Sequence, residues 1–396
     1  MCKLSEAGRV GTMRTGARAI MLVGLCSAMI AGSVISCSTD KFTGTTPADT
    51  TMDSDTTTAL DAIVDAAVNS TGIPGAVVGI WGPDGSYVRA AGVADTTTDT
   101  PMDTNFYHRI GSVTKTFTVT ALLQLVDEGE IGLDDPISKY VDGVTQGDEI
   151  SLRQLAGMRS GLVDFTTSEQ FVMDYLTDPR RAFTPEELVG YVKDLPLHLR
   201  PGTTVDYSNT NTVLLGMVVE KVSGSTLPEL IDTKITSPLG MKHTSFPTTN
   251  ALPNPHAQGY TNQTLDESVT TATDWNPSWG GAAGAMISSL DDMRIWAPAL
   301  AKGDLLTDDT QKQRLQTVSF GEGDDGAGYG LGLFDSAGWI GHNGSLPGYK
   351  TVAVYLPAKD TTLIVFINTD IDGETDLTSA LMAPITKLIS PDNVYG

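Results

Sequence analysis

The chain has 396 residues, long enough for one large folded unit or two interlocked ones. Aspartate and glutamate number 48 against 25 lysines and arginines, a formal charge of −23. A surface of that sign repels phosphate backbones, which excludes nucleic acid as a partner class; otherwise the charge serves solubility.

The first 37 residues stand apart. Lys3, Arg9, Arg14 and Arg18 face a single acid, Glu6, and residues 19–35 are nearly all apolar or small. A basic stretch followed by an apolar one is the pattern of an export signal, and this run is too short to be read as a permanent span. Met13 is an alternative start that leaves a shorter basic region. The run ends in Val34-Ile35-Ser36-Cys37, which resembles the lipobox of bacterial lipoproteins. That resemblance implies cleavage before Cys37, lipid on the cysteine, and an extracytoplasmic protein anchored to the cell membrane. An ordinary cleaved signal with a chance cysteine is the alternative. Cys2 and Cys26 fall in the removed segment, so no pair remains for a disulfide. Residues 38–55, rich in Ser, Thr, Asp and Pro and without periodicity, read as a flexible tether.

Order is expected from about Thr57, where Leu60, Ile63, Val64, Ala67 and Val68 recur at helical spacing. Pro74-Gly75 breaks that pattern. Residues 76–81 and 86–94 then read as a hairpin turned by Pro83-Asp84-Gly85. A helix and a hairpin cannot bury themselves, and the missing strands appear at the far end, over 329–334, 349–356 and 361–368, before a closing helix at 377–389. Helical patterns fill the middle at 117–128, 185–192, 211–222 and 289–300, with loops over 240–280. The economical arrangement is an α+β fold: an antiparallel sheet built from 56–113 and 301–396, flanked by terminal helices, with a mainly helical insert over 114–300 and a cleft between them. Residues 56–396 then make one catalytic domain.

Three short motifs carry chemistry. In Ile110-Gly111-Ser112-Val113-Thr114-Lys115 the serine and lysine are three apart at a helix start, so they share a face. A serine hydroxyl is a weak nucleophile until a neighbour takes its proton, and a lysine does so only when burial lowers its pKa. The free N–H of Ser112 can face an oxyanion. Alone, this pair is more often a helix cap beside a surface lysine. Tyr207-Ser208-Asn209 sits where a loop enters a helix; Tyr207 can relay a proton, and Asn209 can accept from Lys115 and donate to a substrate carbonyl. His342-Asn343-Gly344-Ser345 precedes the strand at Tyr349. Gly344 permits close approach, the Ser345 N–H is a second oxyanion donor, and His342 is expected to hydrogen-bond the Tyr207 hydroxyl. Taken singly, the second motif is better read as a turn with a buried tyrosine and an asparagine cap, and the third as a β-edge turn with an exposed histidine.

Together, in this order, Ser112/Lys115, Tyr207/Asn209 and His342/Gly344 resemble the serine penicillin-recognising hydrolases, which include D-alanyl-D-alanine carboxypeptidases, class C β-lactamases and related esterases. The likeness extends through 122–134, 152–162, 201–214, 283–291 and 328–333. Histidine at 342 resembles the D-alanyl-D-alanine carboxypeptidases of the streptomycete type. The resemblance implies a β-lactamase-like fold, acyl transfer through Ser112 on cell-wall peptides, and acylation by β-lactams. It also implies that Phe171 and Trp279 lie near the cleft. Phe334 occupies the position where the streptomycete pattern has a carboxylate-holding arginine, which leaves Asn343 and Ser345 as the donors for a carboxylate. That change favours an esterase or small-amide hydrolase as the alternative, ahead of a true β-lactamase or a non-catalytic envelope protein. The five histidines form no ligand pattern, and neither a metal nor a cofactor is expected. The protein is expected to act as a monomer.

Overall fold

A computed structural model describes residues 50–321, 326–373 and 376–396. The expected export signal, Cys37 and residues 38–49 of the expected tether lie outside them. Order begins earlier than composition suggests. Met52 is buried; its N–H bonds the Ser86 carbonyl at 3.1 Å, and the Ser86 N–H bonds the Thr50 carbonyl at 2.7 Å. Asp53 then caps the first helix, accepting from the N–H groups of Asp55 and Thr56 at 3.0 Å each. Residues 50–55, expected in the tether, are therefore held by a strand edge and a helix cap, and the helix starts at Ser54 rather than Thr57.

The elements that position the site are, in chain order, α1 (Ser54–Ser70), β1 (Gly75–Gly82), β2 (Gly85–Asp95), β3 (Thr100–Pro101), α2 (Thr114–Asp127), α3 (Asn209–Ser223), α4 (Leu290–Lys302), β4 (Val318–Ser319), β5 (Ala327–Tyr329), β6 (Phe334–Ser336), β7 (Trp339–Leu346), β8 (Tyr349–Leu356), β9 (Thr361–Ile367) and α5 (Ser379–Ile389). The strands form one antiparallel sheet in the order β3-β2-β1-β9-β8-β7-β6-β5-β4. Both chain ends meet at its centre, where β1 pairs with β9 from Ala76↔Ile367 to Trp81↔Thr362.

The central strands are apolar on both faces because both faces are covered. Val78, Ile80, Val352, Val354, Leu363 and Val365 pack with Leu60 and Val64 of α1 and with Leu381 and Ile385 of α5. Their neighbours Val77, Trp81, Ala353, Ile364 and Phe366 point the other way, toward Met293, Trp296 and Leu300 of α4 and Phe117 of α2. Thus α4 lies across β1, β7, β8 and β9 and belongs with the sheet, although its position in the sequence placed it in the helical insert.

Two strand expectations need correction. The stretch 329–334 is not one strand: β5 ends at Tyr329, the chain turns with the Gly330 N–H bonding the Leu333 carbonyl at 2.8 Å, and β6 begins at Phe334. Residues His342 to Ser345 are not a turn before a strand. They lie inside β7, paired with β8 from Ile340↔Tyr355 to Leu346↔Tyr349.

Candidate active site

Ser112 lies in a single 3-10 turn, Gly111–Val113, that leads into α2. Ile110 fixes the turn from below, its N–H bonding the Met286 carbonyl at 3.1 Å. The turn packs against β7 at a separation that only glycine allows. A Cβ added to Gly344 would stand 2.1 Å from the Ile110 carbonyl and 2.8 Å from the Ser112 nitrogen; one added to Gly111, at φ +52°, would stand 2.7 Å from the Ser345 nitrogen. The backbone amides of Ser112 and Ser345 are thereby brought beside the Ser112 side chain, which is the arrangement an oxyanion requires.

Lys115 is one helical turn on and wholly buried. Its ammonium donates to Ser112 Oγ at 3.0 Å, to Asn209 Oδ1 at 2.7 Å and to the Ala283 carbonyl at 2.8 Å. Burial brings its pKa down to about 7, against the opposing pull of Asp164. Loss of one proton leaves two N–H groups for Asn209 and Ala283 and a lone pair facing the Ser112 hydroxyl, so the Ser112–Lys115 hydrogen bond reverses and the serine becomes the donor. Asn209 is held in the required orientation because its Nδ2 donates to Asp164 Oδ2 at 2.9 Å.

Tyr207 reaches the same point from the loop before α3. Its ring stands 5.0 Å from the Lys115 ammonium; the residue is 37% exposed toward the cleft, and desolvation of its hydroxyl raises the pKa above the ordinary phenol value, with the nearby Ser112 hydroxyl opposing. The phenol therefore stays protonated at neutral pH and can give a proton, while Lys115 is the group able to take one.

His342 does not make the expected bond to Tyr207. Its Nδ1 faces the Asn343 carbonyl at 2.5 Å and its Nε2 faces the Tyr329 hydroxyl at 3.0 Å, so Nδ1 carries the proton and Nε2 accepts from Tyr329. The Tyr207 ring lies 6.2 Å away, centroid to centroid. Burial first, and then the Lys115 charge, push the His342 pKa down to about 3, so the imidazole is neutral. Asn343 and Ser345 alternate with buried His342 and Gly344, which turns both exposed side chains toward the cleft.

Two cavities, each of about 470 Å³, adjoin this centre. The first contains Ser112, Tyr207, Phe334, Asn343, Gly344 and Ser345. The second is walled by Phe171, Tyr175 and Trp279 and reaches Asn209. The Phe171 and Trp279 rings meet at 6.0 Å, tilted by 53°, so the structure brings them together in the second cavity, apart from Phe334 in the first. Sequence reasoning missed Asp164 and Tyr329 as partners of Asn209 and His342. Tyr329 lay within a stretch that carried the family likeness, but its phenol could be placed only once β5 was paired with β6.

The beta-lactamase family model matches residues 60–384. A D-aminopeptidase of Brucella anthropi is 32% identical over 323 residues, covering 78% of this chain and 58% of the relative. Protein flp of Staphylococcus aureus is 27% identical over 336 residues, 81% of this chain and 64% of the relative. The chain spans less than two-thirds of the length of these curated relatives. Among solved structures, a D-stereospecific amidohydrolase from Streptomyces sp. superposes with TM-score 0.76 at 30% identity, covering 85% of this chain and 99% of that one. D-amino acid amidase from Ochrobactrum anthropi, complexed with D-phenylalanine, superposes with TM-score 0.76 at 26% identity over the same shares. With the motif serine, lysine and tyrosine converging at one cleft inside the matched residues, the chain belongs to the beta-lactamase family of serine hydrolases.

Proposed function

We propose that the protein hydrolyses small amides of D-amino acids through an acyl-enzyme on Ser112, releasing an amine that carries no carboxylate. Neutral Lys115 takes the Ser112 proton, Ser112 Oγ attacks the carbonyl carbon, and the amides of Ser112 and Ser345 hold the oxyanion. The Tyr207 phenol protonates the departing nitrogen. Water then enters by the same route in reverse, and the acid leaves.

One observation carries the choice of substrate. Among the described residues lining the Ser112 cleft the only lysine or arginine is Lys350, and Asp372 and Asp376 already hold its ammonium at 2.5 Å each. A substrate carboxylate would find no free cation there, whereas an uncharged amide or a free amine meets no such conflict. The D-aminopeptidase, amidase and amidohydrolase relatives support the same direction. The second reading is D-alanyl-D-alanine carboxypeptidase chemistry with capture of β-lactams, favoured by the exposed side chains of Asn343 and Ser345. A panel of D-alaninamide, L-alaninamide and an acylated D-Ala-D-Ala tripeptide, each with a Ser112→Ala control, separates the two. Faster release from D-alaninamide is expected; preferential release of terminal D-alanine from the tripeptide would overturn the first reading in favour of the second. Anchorage through Cys37 is proposed with it, and palmitate labelling that is absent from a Cys37→Ser chain is the expected result.

A further inference from the structure

The geometry points to a leaving-group subsite for an aromatic amine, so that benzylamide-type derivatives of small amino acids are better substrates than simple alkyl amides. This rests on the amide-hydrolase reading above and adds the chemical class of the departing group. The side of the centre on which that group leaves follows from the proton it needs. As Ser112 Oγ bonds to the carbonyl carbon, the C–N bond breaks with its electron pair on nitrogen, and that nitrogen takes the Tyr207 proton. The Ser112 proton, taken by Lys115, then restores the phenol. The amine therefore departs on the Tyr207 side. Tyr207 lines the first cavity, and the second, behind Asn209, does not include it.

The first cavity is walled by rings. Phe334 stands 5.3 Å from the His342 ring at 52° and 6.1 Å from Tyr395 at 58°; Tyr329 meets the Tyr207 ring edge-on at 6.0 Å and 82°. These are the tilted and edge-to-face approaches that a further ring can join. A volume of about 470 Å³ accepts a benzyl group, which ammonia or methylamine leaves unfilled. Charge selects in the same direction. Asp335 lines this cavity with Oδ1 accepting from the Gly338 N–H at 2.8 Å, and Lys350 is matched by Asp372 and Asp376. A leaving group with its own carboxylate meets a carboxylate and no free cation. Phe334, where the streptomycete pattern has arginine, is the residue that sets this preference.

The test compares kcat/KM for D-alanine benzylamide, D-alanine methylamide and D-Ala-D-Phe, on the wild type and on Phe334→Arg and Phe334→Leu, with circular dichroism confirming that each variant folds. Benzylamine and methylamine are also compared as inhibitors of p-nitrophenyl ester hydrolysis, which reads the cavity even where amides are not turned over. The wild type is expected to favour the benzylamide over the methylamide by about 10-fold or more, and to bind benzylamine tighter than methylamine by a similar factor. Phe334→Leu narrows that gap, and Phe334→Arg reverses the order of benzylamide and D-Ala-D-Phe. Equal use of the two amides with equal inhibition by the two amines overturns the subsite, as does a wild type that prefers D-Ala-D-Phe. Tight benzylamine inhibition without amide turnover supports the subsite and sinks the amide-hydrolase reading instead.

Discussion

Acylation of Ser112 should follow the titration of Lys115. The lysine is the base only when neutral, and burial sets its pKa at about 7. In a pH series with p-nitrophenyl acetate, whose own charge does not change, the neutral fraction is about one half at pH 7 and about 1% at pH 5. The second-order acylation rate should fall about 50-fold across those two units, and rise no more than about 2-fold above pH 7. Asp164 raises the lysine pKa, so Asp164→Asn should shift the acid limb to lower pH. Lys115→Ala should slow acylation by about 10²-fold or more and abolish the limb. The same burial has a sign for stability. The folded pKa lies below the unfolded value of 10.5, so between about 7 and 10.5 the unfolded chain binds a proton that the folded chain does not, and stability rises with pH across that window. The full difference is on the order of 5 kcal/mol for this wholly buried group, at 1.36 kcal/mol per pH unit. A flat acylation profile from pH 5 to 7, or a limb that survives in Lys115→Ala, would refute the assignment of the base.

Other consequences are sharper in structure than in magnitude. His342 is neutral above about pH 4 because burial and Lys115 hold its pKa near 3, so His342→Gln should leave the position of the acid limb unchanged; a limb that moves would show that the imidazole titrates in the working range. Gly344→Ala places a methyl 2.1 Å from the Ile110 carbonyl and should cost ester acylation about 10²-fold or more through loss of the oxyanion amides; wild-type acylation would mean that those amides do not act. Leu363→Ala empties a fully buried site between α1 and α5 and should cost about 2–5 kcal/mol, read as a lower urea midpoint; an unchanged midpoint would contradict the packing given for β9.

Much of the fold is legible because its signals are local. The helical spacing of Leu60, Val64 and Ala67, the hairpin turned by Pro83-Asp84-Gly85, and the apolar run from Thr361 each name an element without outside help. What failed was set by distant partners. Thr50 and Met52 are ordered by Ser86, which composition cannot see. The run Tyr329–Phe334 looks like one strand until the Gly330–Leu333 hydrogen bond folds it into two, and β7 contains too much glycine to read as a strand although β8 pairs along its length. For the site, the three motifs name residues that the structure brings to one cleft, each lying beside a helix start or a glycine. The role of His342 was misjudged because Tyr329, thirteen residues before it, takes the nitrogen expected to meet Tyr207.

The most direct test is to react the protein with benzylpenicillin and, separately, with an activated D-alanine ester, then map the adduct by peptide mass. A single acyl group on Ser112 is predicted, with none on a Ser112→Ala chain. Adducts on another residue, or none from either reagent on folded protein, would contradict the account.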